Sequence, residues 1–146
     1  MKVTMLLADA AQAVNGKLYI LGGGWSVTGP APSPSAIALK IEVPWDEANT
    51  RHKLTLDLVD EDGQPVPAPT PMGMQPIRIE ADFEVGRPPG VKPGTPLDVV
   101  LALNIGPLSF NPDSRLVWKL AIDGRTSDEW QLSFATRSGQ PGPLPY

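Results

Sequence analysis

Ile77-Arg78-Ile79-Glu80-Ala81-Asp82-Phe83-Glu84-Val85 alternates apolar and charged side chains without a fault over nine positions. Successive side chains of an extended chain point to opposite sides, so the stretch predicts a strand with one face in a core and the other in water. The same period recurs in Ile37, Leu39, Ile41 and Val43 around Ala38, Lys40 and Glu42. It returns in Leu54, Leu56 and Leu58 around Thr55 and Asp57. Half-buried strands of this kind belong to antiparallel sheets.

Outward from these strands, Leu97–Ile105 keeps its odd positions apolar and also places Val100 and Ala102 on the even face, which predicts a central strand covered on both sides. Leu116–Ile122 runs into Asp123-Gly124, a signal for a primed turn, and alternation resumes at Trp130, Leu132 and Phe134. This predicts a terminal hairpin with a loop longer than two residues. Asn15-Gly16 between Thr4–Val14 and Lys17–Leu21 predicts an opening hairpin, because both turn residues tolerate positive φ. Gly22-Gly23-Gly24 before Trp25–Thr28 reads as a bulge or bend. A phosphate loop would need a following helix and a Gly-Lys-Ser/Thr element, and neither is present. Pro44–Thr50 predicts one helical turn, with proline preset for its start, linking two strands.

The 14 glycines and 18 prolines of the 146 residues are concentrated in 28–35, 62–76, 86–96 and 138–146, between the apolar runs. No 10–15-residue helical pattern alternates with the strands, as a parallel sheet would require. The expectation is an all-β antiparallel β-sandwich, immunoglobulin-like or jelly-roll-like, of about eight strands with at most one helical turn. Residues 1–137 are expected to form this single domain and 138–146 a Pro/Gly-rich tail.

Composition removes several chemistries. A net charge of −4 and no Lys/Arg run argue against nucleic acid as a partner. With no cysteine, disulfides, thiolate nucleophiles and cysteine-type zinc sites are absent, and one histidine excludes multi-histidine metal sites. Met1–Ala13 faintly imitates a signal peptide, but Asp9 interrupts its apolar stretch too early. No stretch approaches a membrane span, so a cytoplasmic protein is expected.

His52, in Arg51-His52-Lys53 at a strand start, is read as a solvated polar residue rather than a general base. Ser109, Ser127 and Ser133 therefore lack a plausible triad. Asp60-Glu61-Asp62-Gly63 clusters carboxylates of the kind that suit calcium, but a solvated turn with Asp-Gly at its tip explains it better. Asp46-Glu47 and Asp128-Glu129 are carboxylate neighbours in sequence, which says nothing about opposition across a cleft. Trp118 and Trp130 fall on the apolar phase of their strands and are expected in the core. Trp25 and Trp45 lie in bends and are the candidate contacts for a sugar or other small ligand. Pro65–Pro71 and Pro141–Pro145 read as stiff connections or polyproline contact elements, the first crossing between sheets or running along an edge.

Leu7-Ala8-Asp9-Ala10-Ala11, Asn15-Gly16-Lys17-Leu18-Tyr19-Ile20-Leu21-Gly22-Gly23, Leu58-Val59-Asp60-Glu61-Asp62-Gly63 and Trp118-Lys119-Leu120-Ala121-Ile122-Asp123-Gly124 together give the chain a resemblance. It resembles an uncharacterised family of small bacterial proteins of unknown function. The resemblance implies a shared β-sandwich and no activity. The expected function is a non-enzymatic protein-interaction or structural module with no cofactor, binding a protein partner or itself as a homodimer. A carbohydrate- or small-ligand-binding module is the alternative.

Overall fold

The computed structural model describes residues 1–139. Among these lie twelve strands and one 3₁₀ turn: β1 (Lys2–Ala8), β2 (Ala10–Val14), β3 (Lys17–Leu21), β4 (Val27–Thr28), β5 (Ser33–Val43), β6 (His52–Asp60), β7 (Pro67–Thr70), β8 (Gly73–Pro76), β9 (Arg78–Phe83), β10 (Leu97–Leu108), β11 (Arg115–Ile122) and β12 (Arg125–Thr136). The fold is all-β, with more strands than the roughly eight expected. The excess comes from a split first strand and from a hairpin in the proline-rich connection.

A three-stranded sheet runs β1-β5-β10 and a five-stranded sheet β4-β12-β11-β6-β9; β2-β3 and β7-β8 are separate hairpins. The pairings are antiparallel except β4 with β12. The alternating residues read from sequence meet in one core. Ile37, Leu39, Ile41 and Val43 of one sheet cluster with Leu54, Leu56, Leu58, Leu116, Trp118, Leu120, Ile122 and Phe134 of the other. Burying each large apolar side chain contributes about 1.5–3 kcal/mol before entropy. Trp118 lies in this core as expected, and Trp130 packs half-buried against it. The turn Trp45–Glu47, opened by Pro44, carries the chain from β5 in one sheet to β6 in the other.

The outer face of the three-stranded sheet carries alanines, and the β2–β3 hairpin lies on them. Ala8, Ala11, Ala36 and Ala38 form a second small core with Leu18 and Ala102 packed against it. Small side chains let the hairpin approach closely, and the Asn104 side-chain amide locks it in place. Its Nδ2–H donates to Ala11 O (2.9 Å) and its Oδ1 accepts from Ala11 N–H (3.2 Å), as a neighbouring strand would. The Asn15-Gly16 turn is as expected, with φ of 51° and 73°. The preceding strand is not continuous. At Asp9 the backbone N–H turns to Leu21 O (3.0 Å), so β1 joins β5 while β2 folds back onto β3.

Three further expectations are corrected. Pro67–Thr70 and Gly73–Pro76 pair as a hairpin, so of the two courses expected for the proline-rich segment the crossing between sheets is the one corrected: the segment connects two adjacent strands of one sheet, the second of them its edge strand. The Asp123-Gly124 loop has two residues, with φ of 51° and 77°, and the extra length lies in a bulge of β12 beyond Thr126. Last, β10 is not central. It ends its sheet, and its even face is covered at Ala102 by the hairpin rather than by neighbouring strands. Among the described residues no helix is long and apolar enough to cross a membrane.

Candidate functional site

The burial of the core falls away at one end. In β5 and β6 the inward apolar residues are fully buried, whereas Val99, Leu101 and Leu103 of β10, Ile79 and Ala81 of β9 and Ile77 just before it are only half-buried. Both β9 and β10 are terminal strands of their sheets.

The direction of β10's polar groups follows from its neighbours. Leu7 O accepts from Gly24 N–H (2.7 Å), which turns the polar groups of Leu7 away from β5. In an antiparallel ladder, residues alternate between bonding one side and the other. Ile37, opposite Leu7, therefore bonds Leu103 of β10. The same alternation turns the N–H and C=O of Asp98, Val100, Ala102 and Asn104 outward, where they have no backbone partner among the described residues.

An edge of this kind invites pairing, and proteins usually protect it with charge, proline, bulges or short length. The other three edges of the two main sheets carry such protection. β9 alternates Arg78, Glu80 and Asp82, with Arg78 bidentate to Asp57 (2.6 and 3.0 Å). β4 has two residues, and β1, whose one charge Lys2 is itself paired with Glu42 (3.8 Å), has Leu7 O occupied by Gly24 and is in contact with β12. From Leu97 to Ile105, β10 carries one charge, Asp98, already beside Lys40 (3.9 Å). Its bulge, Gly106 and Pro107 come only afterwards.

His52 overturns the expectation of a solvated residue: it is 5% exposed. Its Nδ1–H donates to Asp123 Oδ2 (2.6 Å), its Nε2–H to Glu47 O (2.9 Å), and its ring stacks on Phe83 at 5.2 Å between centroids. Asp123 also accepts from Lys53 N–H through Oδ1 (3.0 Å). A carboxylate and a carbonyl can only accept, so both ring nitrogens must carry protons and the imidazolium is the form that fits. Burial alone would lower the pKa of His52, but the hydrogen bonds to Asp123 and Glu47, with the nearby negative charges, raise it above the ordinary value. The bond from His52, then that from Lys53 N–H, holds Asp123 below the usual carboxylate range. The sequence could not signal this pair, because its partners are 71 positions apart. It ties the β6 start to the β11–β12 turn, and Arg125 reaches Glu47 (3.9 Å) over it.

The two candidate tryptophans are not brought together. Trp25 packs half-buried, edge-on to Phe134 (centroids 6.1 Å apart), and its Nε1–H is buried without a partner among the described residues. Trp45 is half-buried under the Arg87 guanidinium, 4.7 Å from its ring centroid, while Trp45 O accepts from the same side chain (2.7 Å). Trp45 borders an open groove of about 620 Å³ with Met1, Pro44 and Pro96; Trp25 lines a separate hollow of about 10 Å³. Asp60 caps a turn as expected, with Oδ1 accepting from Asp62 and Gln64 N–H (both 2.9 Å) and Gly63 at φ 78°. Pro141–Pro145 lies outside the described residues.

Residues 3–135 match the model of a family of unknown function, DUF6941. No curated protein matches the chain.

Proposed function

The chain belongs to DUF6941, and from that premise we propose that it is a non-enzymatic interaction module, a β-sandwich that binds another polypeptide along the open edge of β10. The sandwich is supported by the single core that takes the alternate residues of both sheets. The contact element is supported by one observation above the rest. Among the four edges of the two main sheets, β10 alone combines length, apolar character and outward backbone groups without protection. An added strand would gain main-chain hydrogen bonds from these groups and specificity from alternate side chains.

The test compares wild-type and Val100→Pro chains as baits in quantitative affinity capture from the native cell. The outward N–H of Val100 is absent in proline, while the ladder to β5 keeps its bonds. Polypeptides held by wild type and lost from Val100→Pro support the reading; identical sets from both baits refute it.

A small-ligand reading rests on the groove at Trp45. Titration with a glycan panel would change the fluorescence of wild type and leave Trp45→Phe unaltered. No change with any glycan in wild type removes this alternative.

A further inference from the structure

We infer that the polypeptide taken by the β10 edge is β10 of a second copy, paired antiparallel about a two-fold axis at Leu101; this rests on the edge-binding reading and names its partner. The order of residues in β10 is nearly palindromic about that point. On the inner face Leu97 would lie opposite Ile105 of the second copy, Val99 opposite Leu103, and Leu101 opposite its own counterpart. On the outer face Val100 would meet Ala102, and Asp98 would meet Asn104. The Asn104 amide already gives one N–H to Ala11 O, which leaves its second N–H for the Asp98 carboxylate.

Charge supports a copy of this chain as the partner. Two chains of net charge −4 repel over most of their surface, so a seam between them needs a stretch with little charge. β10 offers one, with its single carboxylate beside Lys40 and no like-charged pair across the axis. Moving the axis by one residue sets Asp98 against Ala102, or Val100 against Asn104, and loses the polar match. Pairing from Leu97 to Ile105 uses the whole run before Gly106-Pro107, about 30 Å of strand.

The mismatch between the sheets points the same way. Three strands face five, β1 is in contact with β12, and β9 ends the larger sheet on the side away from β12. Ile77, Ile79 and Ala81 are half-buried there. A fourth strand beside β10 would cover them, adding apolar contact to a strand seam that alone is smaller than the roughly 20–30 residues a side of a standard interface. The two three-stranded sheets would become one continuous sheet with its unprotected edges removed, in the isologous arrangement typical of dimers.

Sedimentation velocity of the full chain over the micromolar range should show a monomer–dimer equilibrium, and Val100→Pro should weaken it about thirtyfold, since each copy loses one hydrogen bond across the seam. Because the chain has no cysteine, Leu101→Cys provides a test that does not rely on loss of pairing. Opposite residues of a non-hydrogen-bonded antiparallel pair sit at a Cα separation that a disulfide can span. Under copper–phenanthroline oxidation Leu101→Cys should cross-link to a covalent dimer, and Leu103→Cys, whose opposite residue would be Val99, should not. A wild type that stays monomeric, a dimer unaffected by Val100→Pro, or equal cross-linking at 101 and 103 overturns the proposal. A monomeric wild type whose bait still loses its partners on Val100→Pro overturns self-pairing while retaining edge binding, so the two readings fail separately.

Discussion

Replacing Asp123 by Asn exchanges a charge for a dipole at the partner of the buried His52 without disturbing the turn, since Asn also accepts the φ of 51° at this position. Oδ1 still receives Lys53 N–H, and the amide nitrogen replaces Oδ2 at 2.6 Å from His52 Nδ1. The ring can then be neutral, accepting at Nδ1 and donating at Nε2 to Glu47 O. What is lost is the charge assistance. Hydrogen bonds to charged groups contribute about 1.5–3 kcal/mol against about 1 for neutral ones, and the 42% exposure of the Asp123 side chain favours the lower end. The expected loss is about 1 kcal/mol near pH 5.5, or roughly 2–4 °C in Tm.

The pH dependence gives the reasoning its distinct signature. His52 is raised from 6.5, so its contribution is complete below that value and is lost as pH rises through the higher folded pKa. Asp123 is lowered from 3.8, so its contribution is complete above that value and is lost as pH falls through the lower folded pKa. Urea unfolding of both proteins at a series of pH values should show the largest gap between these limits and a gap that closes on the alkaline side. There the neutral ring of wild type leaves one nitrogen facing an acceptor without a proton, and the Asn variant should match or exceed it. A gap constant from pH 5 to 9 would refute the charged pair.

Two further substitutions test the packing of the β2–β3 hairpin. Asn104→Ala removes both bonds to Ala11 and should cost about 1–2 kcal/mol, with faster hydrogen exchange concentrated in β2 and β3; uniform loss of protection would contradict the clamp. Gly22→Ala should destabilise by about 1–2 kcal/mol through its φ of 62°, and by more than Gly16→Ala, because a Cβ at 22 strikes the Asp9 side chain while one at 16 meets nothing. Equal losses in urea unfolding would show that Asp9 simply moves aside.

What the sequence made legible was local. Alternation in 37–43, 54–58 and 77–85 named the inward residues correctly, and Asn15-Gly16 and Asp123-Gly124 marked their turns. The misreadings arose where a residue answers to something distant. Asp9 carries no breaker signal, and the strand divides there because Leu21 and Gly22 offer carbonyls. Prolines at 67, 69 and 76 conceal a hairpin, since a short hairpin outside both main sheets tolerates missing donors. The apolar even face of β10 looked like a sheet interior because a hairpin cover and a second sheet neighbour leave the same trace in sequence. His52 looked solvated because its carboxylate comes from Asp123, at the far hairpin. Of the two tryptophans singled out, only Trp45 borders a groove, and the open edge was invisible to periodicity altogether.

The open edge of β10 is best tested by residue-resolved hydrogen exchange of the Val100, Ala102 and Asn104 amides as a function of protein concentration. At low concentration these outward N–H groups should exchange far faster than those of Leu101 and Leu103, which bond β5, and they should become protected as concentration rises. Protection of Val100, Ala102 and Asn104 already at the lowest concentration, or exchange that stays fast at every concentration, would contradict an open edge that pairs with its own copy.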